Sequence, residues 1–374
     1  MELTWVEISR EALTSNIKTF RRLVGSAVKL GVAVKANAYG HGLTLSSRIF
    51  LKAGADYLCV NAIYEAETLR KAGVKAPLLI IGYTPLSDLP KVVQLKCELV
   101  VYNVETIRAL GKLSKPVKVH LKIETGNHRQ GVRLSQIPAV LTEFKKYKNL
   151  QMGGISTHFA NIEDRVHHHY ALHQLKEFKK AIRILEEAGH APHYRHCANS
   201  AAAIVLPEAH FNFVRVGIGA YGLWPSEKTL KAAQHAGINI KLKPALTWKT
   251  IVAQIKEVDK GALVGYGCTY QMPHTGRIAV LPVGYYDGYV RLLSNKGHVL
   301  IHGKKAPVIG RVCMNMIMVD VSRIPEAQLE DEVILIGKQG KEEVTAEEMA
   351  ELSQTINYEV TTRINERIPR IFIS

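Results

Sequence analysis

Lys35 stands where an apolar run, Leu30–Val34, gives way to Asn37, Tyr39, Gly40, His41 and Gly42. A lysine just past such a run is partly desolvated. That lowers its pKa from about 10.4 and favours the neutral amine that a Schiff base needs. Position alone also fits a strand-end lysine that carries its ammonium out to water, but the polar, flexible neighbours point to chemistry. A second candidate is Phe213–Gly222, FVRVGIGAYG, where Gly217, Gly219 and Gly222 have G-x-G-x-x-G spacing. In a dinucleotide-binding loop that spacing follows the first strand, and an acidic residue stands about 20 positions on. Neither condition holds here. The segment reads instead as a cradle of backbone N–H groups for a phosphate after a late barrel strand. Arg215 alternates with Val214 and Val216, so its side chain points away from theirs. A charge on such a strand requires an acceptor, and a ligand is one candidate.

These residues need elements to hold them. Short β-rich runs recur near Leu30–Val34, Tyr57–Val60, Leu78–Ile81, Leu99–Val101, Val117–Ile123, Met152–Ser156, Tyr194–Cys197 and Phe213–Val216. Helical patterns lie between them, among them Leu43–Ala53, Tyr64–Ala72, Glu105–Leu110, Ile137–Tyr147, His169–Ala188 and Ser200–Leu206. Such strand–helix units suggest a parallel (β/α)8 barrel, TIM-type, over residues 1–234. Alternation alone leaves a doubly wound sheet open. Past a helical piece at Glu227–Ala236 the rhythm changes to strands: Thr250–Val258, Gly276–Pro282, His298–Ile301, Ala306–Ile309, Ile317–Asp320 and Glu332–Ile336. Residues 235–374 therefore read as a mostly antiparallel β domain.

Composition narrows the class. The chain has 374 residues, 47% hydrophobic and 22% charged, which suits a folded globular protein. No apolar run approaches the roughly 20 residues of a membrane helix, and MELTWVEISREAL carries no basic stretch ahead of an apolar core, so no secretory signal is expected. The net charge of +16 could attract nucleic acid. Its basic residues are dispersed, without aromatic interleaving, which argues for a basic surface and against a nucleic-acid partner. Five cysteines, an odd number without C-x-x-C, argue against a disulfide framework and for a reducing, cytoplasmic compartment. His167–His169 are a compositional oddity. His169 and His173 share a helix face, but no H-E-x-x-H pattern accompanies them, so no metal site is expected.

Seven blocks now resemble the alanine racemase family: KANAYGHG (Lys35–Gly42), THFAN (Thr157–Asn161), ANS (Ala198–Ser200), VRVGIGAYG, VGYGCTY (Val264–Tyr270), GYYDGY (Gly284–Tyr289) and GRVCMN (Gly310–Asn315). They stand in family order along essentially the whole chain. The resemblance implies a barrel followed by a β domain, and a pyridoxal-phosphate-dependent enzyme interconverting L- and D-alanine for cell-wall peptidoglycan. It implies that Lys35 carries pyridoxal 5′-phosphate, that Tyr39, Ser200, Gly217, Ile218 and Tyr285 hold its phosphate with Asn199 alongside, and that Arg215 meets its pyridine nitrogen. An arginine there leaves that nitrogen unprotonated and the carbanion less stabilised, which favours reprotonation over transamination. Lys35 and Tyr266 are then the two bases, Tyr266 reaching across a homodimer interface into a shared site, with His158 linking Tyr266 to Arg215. Arg129 and the N–H of Met314 bind the substrate carboxylate. Lys122, often carbamylated in this family, positions Arg129. Glu163, Arg291, Arg311 and Ile364 line the access corridor.

The chain departs from the family's usual pattern at Asn127, His128, Asn315 and Glu366. Glu366 stands where many members have a pocket-limiting tyrosine. Its charge requires a partner such as Arg291 or Arg311, and it makes serine, or broader specificity, a second candidate. Three other readings compete. A decarboxylase of the same architecture usually has a carboxylate at the pyridine nitrogen, which Arg215 replaces. A non-catalytic pyridoxal-phosphate-binding protein made of the barrel alone leaves the β domain and Tyr266 unexplained. A nucleic-acid-binding protein rests on charge alone.

Overall fold

The computed structural model describes residues 2–113, 115–163 and 168–374; His167 lies outside them. The chain forms two compact units, one made of Glu11–Ala38 and Leu43–Pro244, the other of the chain up to Arg10, Tyr39–Gly42 and Ala245–Ser374. The first strand, β1 (Thr4–Ser9), belongs to the second unit.

Eight parallel strands form the sheet of the first unit: β2 (Lys29–Ala33), β3 (Tyr57–Val60), β4 (Leu78–Ile80), β5 (Glu98–Val101), β6 (Val117–Lys122), β7 (Leu150–Ser156), β8 (Tyr194–His196) and β9 (Phe213–Val216). Their order is β8-β7-β6-β5-β4-β3-β2-β9. The Arg215 N–H donates to Ala198 O just past β8, at 2.9 Å, which joins the two ends of that order and leaves a (β/α)8 barrel rather than a doubly wound sheet. β3, β4 and β5 are buried along their whole length, as expected when helices cover one face and the barrel interior fills the other. Each fully buried leucine, such as Leu30 or Leu58, contributes about 1.5–3 kcal/mol. Helices at Leu43–Ala53, Ile63–Lys71, Val104–Gly111, Ile137–Phe144, His169–Glu187 and Ser200–Val205 return the chain between strands.

The second unit carries β10 (Leu246–Ile251), β11 (Gln254–Val258), β12 (Leu263–Val264), β13 (Tyr270–Gln271), β14 (Gly276–Leu281), β15 (His298–Ile301), β16 (Lys304–Ile309), β17 (Ile317–Asp320), β18 (Glu332–Gln339), β19 (Glu342–Val344) and β20 (Arg370–Ile373). Its large sheet runs β11-β14-β17-β16-β15-β18-β10-β1-β20, antiparallel except where β20 pairs with β1. Two sequence expectations are corrected here. Thr250–Val258 is two strands, broken at Val252-Ala253, because β10 pairs with β1 and β18 while β11 turns away to pair with β14. The division falls at Pro244/Ala245 rather than 234/235, since Glu227–His235 packs with the first unit; the N-terminal strand crosses to the second by pairing with β10. Among the described residues no helix is long and apolar enough to cross a membrane.

Candidate active site

In the first unit, Lys35 opens a left-handed turn. Ala36, Asn37, Ala38 and Tyr39 all have φ of 53°. That conformation costs an L-residue about 1–2 kcal/mol each, so it persists only where neighbours over-determine it, often at a functional site. Here the Ala36 N–H donates to Glu65 Oε1 at 2.7 Å, and Asn37 Oδ1 accepts from the Leu43 N–H at 2.8 Å. Glu65 also accepts from the N–H groups of Asn61 and Ala62, so one carboxylate ties the loop after β3 to the loop after β2. The turn leaves the Lys35 side chain at the C-terminal end of β2, partly buried. Burial, and then the charge of Arg129, lowers its pKa against the opposing pull of Glu65. That shift favours the free, nucleophilic amine relative to an exposed lysine.

A cluster of cations surrounds that end of the barrel. Burial, Arg215 and Arg129 push Lys122 down to about 8, and its ammonium donates to Gln130 Oε1 at 3.1 Å. Arg215 donates to Thr157 O at 2.9 Å, to His196 O at 3.0 Å and to His196 Nδ1. These acceptors are all neutral, and among the described residues no carboxylate lies within ion-pair distance of Arg215. His158 follows Thr157; burial and the Arg215 charge hold its pKa well below the usual range, so the ring is neutral. Lys122, Asn127, Arg129, Gln130, Thr157 and His158 surround one narrow crevice. Arg129 is displayed by a loop folded on Glu124: burial raises that carboxyl, and the N–H groups of His128, Gly126 and Asn127 more than offset it. The departures at Asn127 and His128 thus sit in the backbone turn that presents Arg129.

Ser200 closes the cradle predicted after β9. Its Oγ accepts from the N–H groups of Gly217, at 2.8 Å, and Gly219, at 3.2 Å. A Cβ on Gly219 would stand 2.5 Å from Phe20 Cζ, so the loop needs glycine there. Asn199 caps the helix Ser200–Val205 by accepting from the Ala202 N–H at 3.0 Å, and it donates to Glu163 Oε1 at 2.7 Å. Its side chain therefore holds the cradle's helix and fixes Glu163.

The second unit gathers its own residues. Tyr266 lies in a short turn between Gly265 and Gly267, both at φ 73°, and is 73% exposed. Arg311 packs on that turn, with its Cζ 2.8 Å from where a Cβ of Gly267 would be. Tyr266, Tyr285, Arg291, Arg311, Met314 and Asn315 line a cleft of about 370 Å³. The loop with Tyr285 docks on the loop with Met314 through Tyr285 N–H to Cys313 O and Tyr286 N–H to Met314 O, both 3.0 Å. Tyr39 is buried. Ile364 is also buried, rather than open on a corridor wall.

Glu366 corrects an expectation. Among the described residues it forms no ion pair with Arg291 or Arg311. Its charge acts instead on Arg370, whose burial lowers its pKa to about 10 against that pull. Arg370 in turn donates to the carbonyls of Gly40, Ile364, Asn365 and Ile368. Glu98, His120 and His196 escaped the sequence reading. The signal was present as ionisable residues inside or beside the apolar runs Leu99–Val101, Val117–Ile123 and Tyr194–Cys197.

Comparison with known proteins gives the same outline. Residues 8–225 match the family described as alanine racemase, N-terminal domain, and 245–372 match alanine racemase, C-terminal domain. The chain is 40% identical over 373 residues to an alanine racemase of Leptospira interrogans, covering 99% of this chain and 96% of that one. It is 42% identical over 377 residues to one of Clostridium perfringens, covering 98% and 95%. Among solved structures, alanine racemase of Bacillus anthracis with bound L-Ala-P superposes with a TM-score of 0.94 at 37% identity, covering 100% of this chain and 96% of that one.

Proposed function

We infer what this chain does from one premise: it belongs to the alanine racemase family. It is an isomerase that interconverts L- and D-alanine. The finer reading is that it does so with pyridoxal 5′-phosphate, as a cytoplasmic homodimer, and that its D-alanine supplies cell-wall peptidoglycan.

The residues fit that cofactor. Lys35, Lys122, Arg129 and Arg215 put four cationic side chains at one end of the barrel, and they suit a group carrying a phosphate and a phenolate. Arg215 is the observation that carries the reading, because a largely buried guanidinium with only neutral acceptors suits an unprotonated pyridine nitrogen. When bound, pyridoxal phosphate supplies an electron-withdrawing ring that makes the α-proton of the amino acid removable.

The chain's own groups do the rest. Lys35 Nζ would hold the cofactor, and the same amine would move the proton on one face of the α-carbon. Tyr266 Oη of the partner copy moves it on the other face, with neutral His158 linking that tyrosine to Arg215. Ser200, Gly217 and Ile218, with Tyr39 and Tyr285, orient the phosphate, and Asn199 holds Ser200 in place. Arg129 and the Met314 N–H orient the substrate carboxylate. Lys122, neutral in part near pH 8, is a fit acceptor for carbon dioxide, and as a carbamate it positions Arg129. Glu163, Arg291 and Arg311 govern access. Glu366, in place of the family's pocket-limiting tyrosine, leaves room for serine as a slower substrate.

Tyr266→Phe tests the two-base reading. Racemisation is expected to fall about 10²–10⁴-fold with cofactor binding intact. Unchanged racemisation contradicts the role of Tyr266 and favours a single base.

A further inference from the structure

A buried chain of ionisable side chains runs from Arg215 through the barrel interior. Arg215 Nη1 donates to His196 Nδ1. His196 Nε2 lies 2.7 Å from His120 Nδ1, and His120 Nε2 lies 2.7 Å from Glu98 Oε2. Tyr57 Oη completes the chain by donating to Glu98 Oε1 at 3.1 Å. Both histidines have no solvent exposure, and Glu98 has 9%.

The directions of these bonds are forced. Arg215 has only donors, so His196 Nδ1 must offer its lone pair, and its proton sits on Nε2. That proton is donated to His120, so His120 Nδ1 also offers a lone pair and its proton is on Nε2, facing Glu98. Both rings are neutral, in accord with burial lowering each of their pKa values. Glu98 ends the chain as a carboxylate: burial raises its pKa, but the bonds from His120 and Tyr57 more than offset this. The only anion in the chain is thus connected to Arg215 through two imidazoles.

The backbone makes room for this arrangement. The pairing of β6 with β7 shifts register between Val119 and His120, leaving Gly153 as the extra residue. A Cβ on Gly154 would stand 2.5 Å from His120 Nδ1. A bulge and a glycine pair thus aim and accommodate the ring, the kind of device found beside active sites.

We propose that Glu98 is a positioning residue for Arg215, acting through His120 to fix the tautomer of His196 so that its Nδ1 lone pair faces the guanidinium. The proposal rests on the role given above to Arg215 at the pyridine nitrogen. Without an acceptor at position 98, His120 is free to carry its proton on Nδ1. It would then donate to His196 Nε2, drive the His196 proton to Nδ1 and set N–H against N–H at Arg215.

The test is nitrogen-15 NMR of histidine-labelled, full-length protein without pyridoxal phosphate, as wild type, Glu98→Gln and Glu98→Met. Two neutral Nε2–H rings are expected in the wild type and in Glu98→Gln, which keeps an acceptor for His120. Altered tautomers are expected in Glu98→Met. In the loaded enzyme, kcat for alanine should fall at least about tenfold in Glu98→Met, with KM little changed, and Glu98→Gln should recover most of the loss. A wild-type His196 protonated on Nδ1, or unchanged tautomers in a folded Glu98→Met chain, overturns the proposal. The wild-type spectrum decides the matter even if Glu98→Met does not fold. Because that spectrum needs no racemisation, its failure is distinct from failure of the proposed function.

Discussion

Burial and the guanidiniums of Arg215 and Arg129 hold Lys122 near pKa 8, whereas an unfolded chain would hold it near 10.4. Below pH 8 both states carry the proton, and the folded state bears the full cost of a poorly solvated ammonium. Between pH 8 and about 10.4 the unfolded state binds more protons, so this residue makes stability rise with pH. In buffer free of carbon dioxide, Lys122→Met is expected to be the more stable protein at pH 7, by up to about 3 kcal/mol. That advantage should shrink across the window in denaturant titrations. A variant less stable at pH 7, or a difference independent of pH, counts against the account. At this scale the sequence was legible where a residue's type clashed with its setting. Lys35 after an apolar run and Arg215 inside one were such clashes. Glu98, His120 and His196 clash in the same way. Their meaning depends on three different strands meeting in the barrel interior, which periodicity along one strand does not reveal.

Elements show why some boundaries were readable. Leu43–Ala53 and Phe213–Val216 were read to the residue because apolar period and flanking polar residues agree. The left-handed turn after Lys35 was not readable, because it is held against intrinsic preference by Glu65, 29 positions beyond Ala36. Nor was the break in Thr250–Val258, which is set by partners on β1, β14 and β18. The turn after β9 gives a sharp test. Gly222 has φ 89°, and a Cβ there would lie 1.7 Å from Lys243 O. Gly222→Ala adds left-handed strain to a backbone clash, so a loss of at least about 3 kcal/mol is expected by chemical denaturation. A loss below about 1 kcal/mol would mean that the loop, and with it the cradle of Gly217 and Gly219, is less rigid than described.

For the whole molecule, the barrel and the β domain were legible from the change in rhythm, while the crossing of β1 to the second unit was not. Six strand-forming residues at the N-terminus carry no signal of a partner 238 to 246 positions away. The exposed Tyr266 motivates a homodimer in which each copy supplies Tyr266 to the other's Lys35. Mixing Lys35→Ala with Tyr266→Phe, each inactive alone, should then restore roughly a quarter of wild-type activity, since half the random dimers carry one intact site. No restoration after subunit exchange contradicts action in trans. Interconversion of L- and D-alanine through Lys35 is measured by a stereospecific assay of both directions, in wild type and Lys35→Ala. The wild type is expected to convert each enantiomer to the other and a folded Lys35→Ala chain to convert neither; equal rates in the two proteins, including none in either, would contradict it.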